Sequence, residues 1–174
     1  EFRLPMKKSA GLLLFRRRPY MVEVMLVHPG CPFWKNKDLN SWSIPKGEFD
    51  DDEQPRDAAL REFEEEVGCR PEGTLLPLSP IKQPGGKLVY AWAIEGECDV
   101  SSVKSNTFQM EWPPRSGNQQ EFPEIDRAEW FTLDVARTKI HKGQIGFLEE
   151  LATLLGPENV PRGGAEAAEG AKPE

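Results

Sequence analysis

Residues 47–69 read GEFDDDEQPRDAALREFEEEVGC, and this stretch decides the fold. Gly47, Glu53, Arg61, Glu62, Glu65, Glu66 and Gly68 are spaced G-x5-E-x7-R-E-x-x-E-E-x-G. At roughly 5–8% usage per residue type, seven such identities coincide by chance on the order of once in 10⁸ start positions. The local chemistry predicts a helix over 56–67. Gln54 serves as N-cap, and Pro55 sits at the first helical position, where its missing N–H costs nothing. Residues 56–67 are rich in helix formers, and Gly68 can take the left-handed turn that ends a helix. Ala59, Leu60, Phe63 and Val67 share one face of a 3.6-residue helix, a face that packs on a sheet.

Glu62, Glu65 and Glu66 stand at i, i+3 and i+4, forming a second face beside small Ala58. Three like charges in one turn repel, and water screens them only in part. Divalent cations relieve that crowding. Mg²⁺ prefers oxygen ligands, keeps several waters and is commonly held by a few carboxylates plus substrate phosphates. A diphosphate, itself anionic, meets such a helix only with ions in between. There a metal polarises phosphoryl oxygens and lowers the pKa of an attacking water, while a spare carboxylate acts as base. Arg61 lies beside Glu65 and can reach back to Glu53, neutralising part of the acidic surface. Most acidic runs are solvated helix faces. A solvated face, however, does not require Gly47, Glu53 and Arg61 at fixed offsets.

The pattern resembles the Nudix box, the signature of hydrolases that cleave diphosphate bonds in a nucleoside diphosphate linked to another group. The resemblance covers residues 7–155. It implies an α/β fold, a Nudix-type α/β/α sandwich with a mixed β-sheet and the box as loop and helix. It implies Mg²⁺ as cofactor, with Mn²⁺ able to substitute. Glu62, Glu65 and Glu66 are then the metal-binding and catalytic carboxylates. Arg61 and Glu53 orient the helix, Glu53 being also a candidate metal ligand, and Gly47 lends its carbonyl or the close turn before the helix. Phe63 and Cys69 stand where the family usually has aliphatic residues, and both are apolar enough to pack. The family often recruits one more acid from the loop before a late strand. Glu124, six residues before Trp130, matches that position as a metal ligand or base, with Glu121 and Glu129 competing.

Outside the box, SIPKGE (43–48) resembles the P-K-G entrance of members acting on dinucleoside polyphosphates, inositol pyrophosphates or capped RNA. Lys46 there is a candidate phosphate contact as a point charge. EWPPRSG (111–117) and FPEIDRAEWF (122–131) are similar to a bacterial subgroup described as predicted NTP pyrophosphohydrolases, a description that carries little substrate information; Trp112 and Arg115 in the first segment are substrate-binding candidates. Trp34 and Trp112, beside loops, can stack on a base or close an apolar rim. His28 and His141 lack an adjacent Ser or Cys, which argues against a His-activated nucleophile.

The 174 residues make one domain with a full hydrophobic core. The net charge of −7 argues against sequence-independent binding to DNA, RNA or anionic membrane. No apolar run reaches the ~18 residues of a membrane span. Residues 1–6 read as a leader or cloning remnant, without the apolar core of a secretory signal. Cys31, Cys69 and Cys98 are odd in number and scattered, which favours a reducing cytoplasm over a disulfide framework. A homodimer is compatible with these features.

Strands are expected over 9–16, 20–28, 41–45, 73–83, 87–94, 105–112 and 129–132, with Pro84, Gly85 and Gly86 as a turn. Within 20–28, Val22, Val24 and Leu26 are expected to be buried, with Met21, Glu23 and Met25 on the other face. Trp92 and Trp130 are expected in the core, and residues 16–18 at a solvated strand end. A second helix is expected over 144–155 and a disordered tail over 156–174. The reaction reading is an Mg²⁺-dependent hydrolase cleaving a diphosphate bond in a nucleoside di/triphosphate-type or dinucleoside polyphosphate substrate, a small phosphoanhydride. Its rivals keep the chemistry on an inositol pyrophosphate, nucleotide sugar or RNA cap, or keep only the fold as a non-catalytic ligand sensor.

Overall fold

The computed structural model describes residues 6–156. The expected leader and tail therefore lie outside the described residues, apart from Met6 and Gly156. A mixed sheet is built from β1 (Lys8–Arg18), β2 (Met21–Pro29), β3 (Lys46–Glu48), β4 (Leu76–Lys82), β5 (Leu88–Glu95) and β8 (Ile125–Thr132). Its order is β4-β5-β1-β2-β8, with β3 paired to β1 off that path. β1 and β5 run parallel, and the other pairs are antiparallel.

Successive residues of β1 point to opposite faces of the sheet. Leu13 and Phe15 enter one cluster with Trp42, Ile44, Phe147, Leu148 and Leu151. Leu12 and Leu14 enter the other with Ala58, Ala59, Phe63 and Val67. Helix α1 (Pro55–Val67) covers the second face, while α2 (Leu133–Lys139) and α3 (Ile145–Leu155) cover the first. The expected α/β/α sandwich is the observed fold.

Both faces being covered corrects the reading of β2. Met25 is as buried as Val24 and Leu26, because α1 roofs the side it occupies. Arg16 is not a solvated strand end either. It pairs with Glu23 at 3.0 Å and Glu97 at 2.9 Å and lies 4.0 Å from the Trp130 ring centre. Trp92 and Trp130 are only partly buried, packed against the second cluster. Residues 41–45 form isolated bridges, Ser43 to Val27 and Trp42 to Ile140, and regular pairing begins only at Lys46. Three elements were not anticipated: α2, capped by the Thr132 side chain, the strand β7 (Gln119–Pro123), and the upstream half of β8. β7 pairs with β6 (Thr107–Glu111) as a hairpin apart from the main sheet.

His28 of β2 is fully buried. Its Nδ1 lies 2.8 Å from the Asp126 carboxylate and its Nε2 2.6 Å from the Lys37 carbonyl. Both ring nitrogens are thus engaged. This residue ties the loop over 30–40 to β2 and β8. No helix among the described residues is long and apolar enough to cross a membrane.

Candidate active site

The box folds as its local chemistry dictates. Pro55 opens α1, and Gly68 closes it at φ 76°, its N–H donating to the Glu64 carbonyl at 2.8 Å. Gln54 holds the extended N-cap conformation but gives no side-chain cap bond. Ala58, Ala59 and Phe63 are fully buried and Val67 nearly so, while Leu60 is only partly covered. Ala58 thus belongs to the packed face. On the adjoining side of the helix Glu62 and Glu66 face β3, while Glu65 is exposed.

Gly47 pairs with Ala10 in β1 and presses its backbone onto the helix. A Cβ on Gly47 would lie 1.9 Å from Glu62 Oε2. Next to it, the Lys46 N–H donates to Glu66 Oε2 at 3.2 Å. Arg61 holds Glu53 in a two-pronged pair at 2.8 and 2.9 Å and reaches Glu62 at 2.8 Å and Glu65 at 3.2 Å. That fork fixes the loop before the helix against the helix itself. Glu53 and Glu62 together hold the guanidinium well above its ordinary pKa, Glu53 contributing most.

The two inner carboxyls are electrostatically uncomfortable. Burial pushes Glu66 up to about 8, and the charges of Glu62 and Glu124 add to it against the Lys46 N–H and charge. Burial also raises Glu62, opposed by Arg61 and reinforced by Glu65 and Glu124. Glu124, just before β8, is therefore brought within electrostatic reach of the box. Its competitors are engaged elsewhere: Glu121 accepts from the Thr107 hydroxyl at 2.6 Å, and Glu129 lies 3.9 Å from Arg127.

Among the described residues, no three carboxylates, imidazoles or thiols already converge on one point. Glu62 and Glu65 instead face Arg61. The donor set nevertheless suits a hard divalent cation, because Glu62 and Glu66 are oxygen donors whose negative charge is made costly by burial. A stability consequence follows from Glu66. The folded chain binds its proton more tightly than the unfolded chain does, so this contribution is full below about pH 4.5 and shrinks as pH rises toward about 8. Denaturant midpoints of metal-free protein should fall across this window. Glu66→Gln should flatten the fall, and saturating Mg²⁺ should oppose it, since the metal competes with the proton. An unchanged slope in Glu66→Gln would place the responsible group elsewhere.

Two concavities flank the acidic cluster. The larger, about 680 Å³, is lined by Lys7, Lys8, Phe49, the 50–53 loop and Arg61. The smaller, about 260 Å³, takes its walls from Pro29, Trp34, Ser43, Lys46, Gln83 and His141, among others. Lys46 links it to the box. Burial and the nearby Lys87 charge lower the Lys46 pKa, so its ammonium is poorly hydrated. Trp112 and Arg115 lie instead at the tip of the β6–β7 hairpin, Trp112 edge-on to Phe33 and Arg115 exposed at φ 62°. Neither lines either concavity. Gln83 was not singled out from the sequence, and Ser43 and His141 were not read as lining a site, because no motif joins positions so far apart in the chain.

The family model described as NUDIX domain matches residues 5–151. An RNA pyrophosphohydrolase of Bartonella henselae is 35% identical over 150 residues, covering 75% of this chain and 79% of that protein. One from Aeromonas hydrophila is 30% identical over 125 residues, covering 67% and 70%. Among solved structures, a C. elegans Ap4A hydrolase binary complex aligns with TM-score 0.60 at 21% identity, covering 84% of this chain and 97% of that one. The NUDIX domain of Shewanella oneidensis NrtR, complexed with ADP ribose, aligns with TM-score 0.60 at 18% identity, covering 89% and 91%. The box geometry and these matches agree: this chain belongs to the Nudix family of diphosphate-cleaving hydrolases.

Proposed function

We propose that the protein is an Mg²⁺-dependent diphosphohydrolase acting on a nucleoside 5′-polyphosphate end, whether a free nucleotide, a dinucleoside polyphosphate or the 5′ end of an RNA. One observation carries this reading: Glu62 and Glu66 stand against β3 beside Lys46, with Glu66 accepting from the Lys46 N–H at 3.2 Å and Glu124 within electrostatic reach of both carboxyls. Mg²⁺ held by Glu62, Glu65 and Glu66, and by Glu124 and the Gly47 carbonyl where they reach it, would polarise phosphoryl oxygens and acidify water. Lys46 would hold a phosphate oxygen by charge. The Arg61–Glu53 fork keeps the helix in register with Gly47. Arg115, exposed on the hairpin, is open to a substrate that extends beyond one nucleotide. The names of the two relatives and of the Ap4A hydrolase neighbour share this polyphosphate chemistry. The box keeps all its carboxylates, which a ligand sensor would not need. Three free cysteines suit a reducing compartment such as the cytoplasm.

The test is a panel of nucleoside triphosphates, dinucleoside polyphosphates, 5′-triphosphate RNA, nucleotide sugars and inositol pyrophosphates, scored by product mass with Mg²⁺, with EDTA and after Mg²⁺ is restored. Hydrolysis confined to the inositol or sugar substrates would displace the nucleoside-polyphosphate reading. No hydrolysis at all would overturn the catalytic one.

Glu124→Gln should lower turnover with Mg²⁺ and leave the melting temperature unchanged, with Glu121→Gln doing less. A silent Glu124→Gln beside a crippled Glu129→Gln would move the accessory carboxylate to β8.

A further inference from the structure

The geometry points to the 260 Å³ cavity as a nucleobase site, with Trp34 as its stacking platform and the β6–β7 hairpin as the device that holds Trp34 in place. This rests on the polyphosphate reading. A phosphate chain engaged at the carboxylates and Lys46 carries its nucleoside toward the next open space, and Lys46 lines that space.

The cavity is smaller than the ~300–1,000 Å³ typical of whole drug-sized ligands, and suits a base better than a complete nucleotide. Its walls have the right chemistry. The Trp34 indole supplies a flat apolar surface. Lys37 Nζ lies 4.8 Å from its centre on one face, so stacking uses the other. The polar groups divide into committed and open ones. The Gln144 carbonyl oxygen accepts from the Ile44 N–H at 3.0 Å, and its amide donates to the Ser43 hydroxyl at 3.0 Å, so it serves the fold. His141 Nδ1 accepts from the Gly143 N–H at 3.1 Å, which leaves Nε2–H as a donor. The Gln83 carboxamide has no hydrogen-bond partner among the described residues, its residue bonding only through the backbone. An aromatic plate with an open imidazole donor and an open carboxamide is what a planar heteroaromatic base with donors and acceptors on its edge requires.

The hairpin explains why Trp34 stands ready. Trp34 closes a 3-10 turn (Pro32–Trp34) in the loop after β2 and belongs to neither core cluster. Residues preceding it in the loop are held by the hairpin. Phe33 meets the Trp112 ring edge-on at 5.0 Å, and Cys31 Sγ lies 3.8 Å from Met110 Sδ. Gly30 sits so close to the hairpin that a Cβ there would lie 2.1 Å from the Pro123 carbonyl oxygen. His28 anchors the far side of the loop through the Lys37 carbonyl. The hairpin joins no strand of the main sheet, and Met110, Trp112 and Pro123 bring it against this loop.

The experiment uses the full chain, with Trp34→Ala, Trp34→Phe, Trp112→Ala and Trp112→Phe, and reads KM, kcat, melting temperature and calorimetric binding of AMP. The substrates are the best nucleotide of the panel and base-free 5-phosphoribosyl 1-pyrophosphate. Stacking on an aromatic is worth roughly 1–3 kcal/mol per base, so Trp34→Ala should weaken KM and AMP binding about 5- to 150-fold. The change should fall on KM more than on kcat and spare the base-free substrate, and Trp34→Phe should restore most of it. Trp112→Ala should raise KM less, with rescue by Trp112→Phe, as befits a positioning residue. Unchanged KM and AMP affinity in Trp34→Ala would overturn the base site while leaving the hydrolase standing. AMP binding that depends on Trp34 in a protein that hydrolyses nothing would keep the base site and remove the hydrolase. An equal loss on base-free and nucleotide substrates would show that Trp34 is only structural, and would also overturn the proposal.

Discussion

Glu66→Gln is expected to lower turnover with Mg²⁺ by roughly 10²–10⁴, the range lost with an acid–base group, and to leave the chain folded. The side chain keeps its shape, and its oxygen can still accept from the Lys46 N–H. What disappears is the negative charge. In the metal-free protein that charge is unfavourable, because burial and the neighbouring Glu62 and Glu124 resist it. The variant should therefore weaken cation binding without losing stability at neutral pH, and should unfold later than wild type above about pH 7. Glu65→Gln should produce a fall in the same range, although Glu65 is far more exposed than Glu62. Steady-state hydrolysis beside circular dichroism checks both. Full activity in either variant would remove this helix face from the catalytic centre.

Gly47→Ala is expected to cost about 10² in turnover, although it adds a single methyl. Gly47 does not stand among the positive-φ residues, so its backbone tolerates alanine. The new Cβ, however, would fall 1.9 Å from Glu62 Oε2 and 2.1 Å from its Cδ. Backbone cannot yield there, because β3 is paired to β1 at Ala10. The flexible end of Glu62 yields instead, and with it the bond from Arg61. A displacement of about 1 Å at a reacting centre is worth about 10²-fold. The melting temperature should change little, since a side chain's far end moves and no core atom does. Wild-type turnover with an unchanged Mg²⁺ requirement would show that the position of Glu62 does not matter.

What could be read from the chain alone was local. Pro55 starts α1 and Gly68 stops it through their own backbone preferences, which act whatever the surroundings. Glu62, Glu65 and Glu66 share a face because the helical repeat places them so. β1, β2, β4 and β5 were likewise visible as apolar segments between turn residues, and with them the α/β class. Signals failed where they were short or shared with loops. α2 has only seven residues, and its Thr132 cap resembles any strand end. β7 is polar and ends in proline, so its pairing with β6 leaves little periodic trace. Residues 41–45 read as a strand because Trp42 and Ile44 are buried, yet both fill the core from a nearly unpaired segment.

The tertiary structure decided everything that depends on neighbours distant in sequence. It covered both faces of β2 and so buried Met25. It brought Glu124, rather than Glu121, within reach of Glu62 and Glu66, because β7 ends where β8 enters the sheet beside β2. It raised the Glu66 carboxyl, an effect of burial that no spacing encodes. It also assembled one cavity from Trp34, Ser43, Gln83 and His141, residues carried by separate loops. The sequence by itself determined the chemistry of the box, since a helical repeat and two backbone punctuators act over a few residues. Where that chemistry meets a substrate was decided by packing, because loop positions follow from the sheet order and the hairpin that clamp them.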